Sequence, residues 1–169
     1  MSAVPMGSTS ITPKTKAIVV NSPGNPTGVV YSRETMRQIA LLAKERNVLL
    51  ISDEIYHAFA YDTPFSSPAE FSKDVLVIDG MGKTYGITGW RLGFSVWPKP
   101  LGDMARKLAV NSYSCVNAPA QFAGLEALTG PQDAVHAMVA EFDTRRKIVV
   151  EGLNSLPGIT AIVPKGAFY

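Results

Sequence analysis

Lys83 stands among small residues, Gly80-Met81-Gly82-Lys83-Thr84, just past the apolar run VLVID at 75–79, and Arg91 follows eight positions later among Gly89, Trp90 and Gly93. A lysine so placed supports two chemistries. It can neutralise a nucleotide phosphate at the end of a phosphate loop. Alternatively, when desolvation or a neighbouring cation lowers its amine pKa, it can attack a carbonyl carbon and form a Schiff base. Spacing rules against the phosphate loop, because G-x-x-x-x-G-K requires glycine at a position occupied by Val77. Order argues the same way. The acidic strand VLLISDE, which would have to hold magnesium, precedes the lysine, and Gly86, Thr88 and Gly89 are poor continuations for a phosphate-cradling helix. The covalent reading is the one left.

Two further stretches join it. NSPGNPTG at 21–28 supplies Asn25, and SDEIY at 52–56 supplies Asp53 and Tyr56. Taken singly, each residue has a plainer reading: Asn25 before Pro26 as a turn residue, Asp53 as a helix cap, Tyr56 at a core edge, Arg91 in a surface ion pair, Lys83 as a solvated turn lysine. Their common position is what sets them apart. Each stretch follows a strand-like run, so each falls at the carboxyl edge of a parallel sheet, where open α/β folds bind ligands. Glu54, beside Asp53, should face the other way along an extended chain and is left out of the chemistry.

The elements that must position these groups are legible as runs. KAIVVNS, NVLLISDE and VLVIDG are short, apolar and β-branched, as strands buried on both faces are, and LGFSVW reads as a fourth. Between the first two, Met36, Ile39, Ala40 and Ala43 recur at helical spacing with Ser32 as N-cap, which predicts a helix over 32–46. Strand, helix, strand is a βαβ unit and predicts a mostly parallel sheet flanked by helices. Helical patterns follow over 101–111, 118–129 and 133–153, the last two separated by Gly130-Pro131. Residues 1–15 read as a flexible arm or linker. The last run, LPGITAIVPKGAFY, returns to β-like residues and predicts an apolar strand with no partner in sight, so the chain is expected to be a piece of a longer one.

The motifs NPTG, SDEIY and GMGKTYGITGWRLG, in this order, closely resemble those of the class I/II, or fold type I, pyridoxal-phosphate-dependent aminotransferases of the aspartate aminotransferase type. The resemblance runs from about Thr15 to Tyr169. It implies an α/β fold, part of the mostly parallel three-layer (αβα) large domain of that family, over residues 16–153, with 154–169 as the start of a truncated small domain. It implies pyridoxal 5'-phosphate as cofactor, Lys83 as its Schiff-base lysine, Arg91 on its phosphate, and Asp53 on its pyridine nitrogen. Asn25 and Tyr56 would bond the ring's phenolic oxygen. Lys83, Asp53 and Tyr56 would thus be catalytic, with Asn25, Arg91 and Gly80 joining them in cofactor binding. Gly80 is a departure: many relatives have serine there, whereas glycine offers only its backbone to the phosphate.

The resemblance further implies amino-group transfer between an amino acid and a 2-oxo acid by a homodimer, with this chain inactive in isolation. Two alternatives stay open: a carbon–sulfur lyase or related elimination enzyme using the same cofactor, and a non-catalytic α/β fragment. Composition narrows other classes. With 46% hydrophobic and 18% charged residues and a net charge of +2, the chain lacks the basic excess of a nucleic-acid binder. No apolar run reaches the roughly 18 residues of a membrane span, and a cytoplasmic location is expected. Cys115 is the only cysteine and is expected in the core or on a helix face; the histidines, His57 and His136, are too isolated to predict a metal site.

Overall fold

The structure is a computed structural model and describes residues 11–169. The predicted arm therefore lies largely outside the described residues; its end, 11–15, is a turn in which the Thr15 N–H donates to the Thr12 carbonyl. Four strands, β1 (Ala17–Asn21), β2 (Leu49–Asp53), β3 (Val75–Gly80) and β4 (Gly93–Val96), form one sheet in the order β1-β2-β3-β4. The first three are parallel and β4 runs antiparallel to β3, so the sheet is mostly parallel as predicted.

Helix α1 (Arg33–Glu45) crosses between β1 and β2. Ser32 caps it, its Oγ accepting the Thr35 N–H at 3.1 Å. Its buried stripe of Met36, Ile39, Ala40 and Ala43 packs on Val20, Leu50 and Val75 of the sheet. Burying a side chain of the size of Met36 or Leu50 contributes about 1.5–3 kcal/mol, and this cluster anchors the sheet whose edge carries the site.

Register fixes that edge. Asn21 pairs with Asp53, Asp53 with Ile78, and Gly80 with Gly93. The chain therefore leaves β1, β2 and β3 at one end of the sheet, and enters β4 at the same end, two residues after Arg91. Lys83 lies in a four-residue helix, α2 (Met81–Thr84), rather than in the turn of its plainer reading.

The later helices, α3 (Lys99–Tyr113), α4 (Ala118–Thr129) and α5 (Asp133–Asn154), occupy the predicted stretches, α3 extending two residues further at each end. Many of their apolar side chains are exposed, among them Leu108, Phe122 and Ile148. Among the described residues no helix is long and apolar enough to cross a membrane.

Two expectations are corrected. Residues after α5 form no strand, only a single bridge between Gly166 and Ala60. Pro164 removes a ladder donor there and the Gly158 φ of 78° breaks the extended run. Apolarity without a neighbouring edge is not enough to make a strand. Cys115 is neither in the core nor on a helix: it is exposed in the α3–α4 connection, where Ser114 with φ 63° ends α3.

Candidate active site

The first loop, after β1, is braced by a residue that the sequence reading passed over. Asn21 accepts the Asn25 N–H on Oδ1 at 2.8 Å and donates from Nδ2 to the Asp53 carbonyl at 3.4 Å, tying the NPTG turn to the end of β2. Both prolyl bonds in this loop, Ser22–Pro23 and Asn25–Pro26, are cis. Gly28 closes it in the left-handed region, and its carbonyl accepts the N–H groups of Lys165 and Gly166 at 2.8 and 2.9 Å.

At the end of β2 the Asp53 carboxylate accepts the Ile55 N–H at 3.2 Å, which turns the chain and swings Tyr56 inward. Tyr56 is buried at the centre of an aromatic cluster with Phe59, Phe168 and Tyr169. Its hydroxyl lies 3.5 Å from Asn25 Nδ2, which donates to it, and 2.9 Å from the Tyr169 hydroxyl. Burial, reinforced by the Tyr169 contact, pushes the Tyr56 phenol up to about 12, so it stays protonated at neutral pH. Glu54 has a partner of its own. It is buried, accepts a hydrogen bond from Ser67 Oγ, and is pushed upward by desolvation.

Beyond β3, the Lys83 amine sits 5.9 Å from the centre of the Tyr56 ring and 5.5 Å from that of Phe168. Lys83, Gly80 and Arg91 line one cleft of about 370 Å3, together with Ile55, Asp79 and Gly93. Arg91 has φ 53°, is exposed, and donates to the Thr88 carbonyl at 3.3 Å. Among the described residues neither Lys83 nor Arg91 makes an ion pair. A Cβ on Gly80 would come within 3.1 Å of Ile55 Cδ1 and 3.3 Å of the Leu92 carbonyl, so the side-chain-free backbone there keeps the strand end open.

The structure thus brings Asn25, Tyr56, Lys83, Gly80 and Arg91 to one end of the sheet, with Asp53 joined to them through Asn21. One contact differs from expectation. The Gly80 N–H, the group that glycine was expected to offer a phosphate, donates instead to Asp79 Oδ1 at 2.6 Å. Tyr169, Phe168 and the pair formed by His57 and Asp79 join the site from positions outside its three motifs or without a role implied by them. Position in β3 was the one available signal for Asp79, since an acid near the end of an apolar strand needs a partner.

As chemistry, the donor set suits a phosphorylated aromatic aldehyde. It holds a primary amine for the carbonyl carbon, a guanidinium without an acidic partner for an oxyanion, and an amide and a phenol for a ring oxygen.

Comparisons with known proteins show the family. Residues 6–169 match the family model for "Aminotransferase class I and II". The chain is 40% identical over 165 residues to an aspartate aminotransferase of a Bacillus species, covering 95% of this chain and 42% of that protein. It is 42% identical to a probable aspartate/prephenate aminotransferase of Aquifex aeolicus, covering 94% and 42%. Among solved structures it superposes on aspartate aminotransferase from Thermus thermophilus with maleate at a TM-score of 0.88 and 40% identity, over 94% of this chain and 42% of that one. The aromatic aminotransferase from Pyrococcus horikoshii gives 0.89 at 35% identity, over 94% and 44%. The chain spans less than half the length of these relatives.

Proposed function

The chain belongs to the class I and II aminotransferases, and from that premise we propose that it forms the cofactor-holding part of a pyridoxal 5'-phosphate-dependent enzyme that moves an amino group between an amino acid and a 2-oxo acid. One observation carries the reading: three loops from successive parallel strands meet at one sheet edge, setting the Lys83 amine against the Tyr56 ring while Arg91 shares its cleft. In this proposal residues 16–153 are the cofactor-binding body and 154–169 begin a second domain.

When bound, the cofactor supplies an aldehyde and an electron-withdrawing ring that stabilises negative charge at the substrate α-carbon. Lys83 Nζ would be the group that holds it, and as a free amine it would move the substrate α-proton. Asp53 provides the carboxylate that keeps the ring nitrogen protonated. Arg91 offers a planar pair of donors to the phosphate, which a lysine could match in charge but not in geometry. Tyr56, kept neutral by burial, donates to a ring oxygen together with Asn25 Nδ2.

Relatives named for aspartate make aspartate the first donor to assay, on the full-length parent, which in this proposal is a cytoplasmic homodimer. Product analysis tests the reading. A 2-oxo acid accompanied by pyridoxamine phosphate supports amino transfer; ammonia with pyruvate would replace that reading with elimination.

A further inference from the structure

Asp79 puts a carboxylate where an anion is to bind. Its side chain is 11% exposed and lines the same cleft as Lys83, Arg91 and Gly80. Both oxygens are engaged: Oδ1 accepts the Gly80 N–H at 2.6 Å, and Oδ2 lies 3.0 Å from His57 Nδ1. That nitrogen also faces the Glu54 carbonyl at 3.2 Å. Neither a carbonyl nor a carboxylate can donate, so Nδ1 carries the proton and Nε2 is the nitrogen that titrates.

The other charged groups around the ring are accounted for. Glu54 is buried and held by Ser67, and its carboxyl is pushed upward by desolvation. His136 and Asp143 of α5 border the hollow that His57 shares with Tyr61 and Tyr85, but Asp143 is already paired with Arg146 and Lys147. Asp79 is therefore the anion that His57 serves, and its hydrogen bond holds the imidazole above its ordinary range against the opposing effect of burial.

We propose that the His57–Asp79 pair is a specificity-determining gate for the phosphate end of the cofactor, admitting a phosphate monoester beside Arg91 when His57 is protonated and repelling it when His57 is neutral. With the imidazolium in place the pair carries no net charge, and the cleft presents only Lys83 and Arg91. Once the proton leaves, the charge of Asp79 is no longer balanced in the cleft that the incoming anion would share with Arg91. This deepens the reading of the cleft as a pyridoxal phosphate site and rests on it. It also gives His57, next to Tyr56, and Asp79, four residues before Lys83, a shared positioning role at the ends of two strands.

The test compares two aldehydes, pyridoxal phosphate and pyridoxal, which differ only in the phosphate. Their affinities are read as borohydride-fixed label on Lys83 from about one unit below to about two units above the ordinary histidine value. In the wild type the preference for the phosphorylated aldehyde should fall about tenfold as His57 loses its proton. In Asp79→Asn it should be high and should not fall, and in His57→Gln it should be low throughout. Linkage supplies a second readout by nuclear magnetic resonance: inorganic phosphate should raise the pKa of His57 and leave His136 unmoved. The chain has only these two histidines, so His57→Gln assigns the signals.

A wild-type preference that follows the same pH course as Asp79→Asn overturns the gate while leaving Lys83 in place. Absence of label on Lys83 from either aldehyde overturns the underlying site and the gate with it. Should Asp79→Asn fail to fold, the phosphate-induced shift of His57 in the wild type decides alone.

Discussion

Replacing Gly28 with alanine should be among the most costly single-methyl additions in this chain. Gly28 has φ 63°, where an L-residue is strained by about 1–2 kcal/mol. Its added Cβ would overlap Pro164 Cβ and stand 3.1 Å from the Gly166 carbonyl oxygen, both on the segment that Gly28 itself anchors. Overpacking of that kind costs a further 1–3 kcal/mol or so, giving about 2–5 kcal/mol in all. Gly86 supplies the control: its φ is 68°, but nothing lies within 4 Å of an added Cβ, so Gly86→Ala should lose only the strain, about 1–2 kcal/mol. Denaturant unfolding of both variants measures the difference directly, with unchanged slope as the sign that only stability has moved. The steric account is refuted if Gly28→Ala costs no more than Gly86→Ala.

Arg146 is nearly buried and joins Asp62, Asp143 and the Pro164 carbonyl, with its guanidinium 4.7 Å above the Tyr61 ring. Because Asp62 is half-exposed, Arg146→Met should cost about 2–3 kcal/mol in unfolding free energy, below the full penalty of a deeply buried pair. Tyr169→Phe removes one of the two groups that raise the Tyr56 phenol, so its pKa should drop from about 12 toward the ordinary tyrosine value without reaching it, burial being the larger cause; ultraviolet titration follows it. Arg91→Gln should weaken pyridoxal phosphate by about tenfold or more and leave pyridoxal unchanged, as the loss of a charge-assisted phosphate contact requires.

Much of the fold was legible because its signals are local. The α1 stripe and the Ser32 cap follow from helical spacing, the three strands from continuous apolar runs, and the parallel pairing of the first two from the order strand, helix, strand. The terminal segment was misread because IVPKGAFY has strand composition, whereas a strand also needs a neighbouring edge, which residues far away in sequence must supply. The same distinction separates the site residues. Asn25, Asp53, Tyr56, Lys83 and Arg91 lie in short motifs at strand ends, and a parallel sheet brings such ends together. Tyr169 meets Tyr56 across 113 positions, and His57 meets Asp79 across the β2–β3 connection; no periodicity encodes either contact. Gly80 showed its lack of a side chain in the sequence, but not that its N–H would be taken by the residue before it.

The central claim is that the Lys83 amine is the group that holds the cofactor. Mixing the chain with pyridoxal phosphate, reducing with borohydride and mapping the modified peptide by mass spectrometry addresses it in one step. The account predicts stoichiometric label on Lys83 and none on the other lysines, abolished in Lys83→Ala. Label scattered over surface lysines, or retained at the same level in Lys83→Ala, would contradict it.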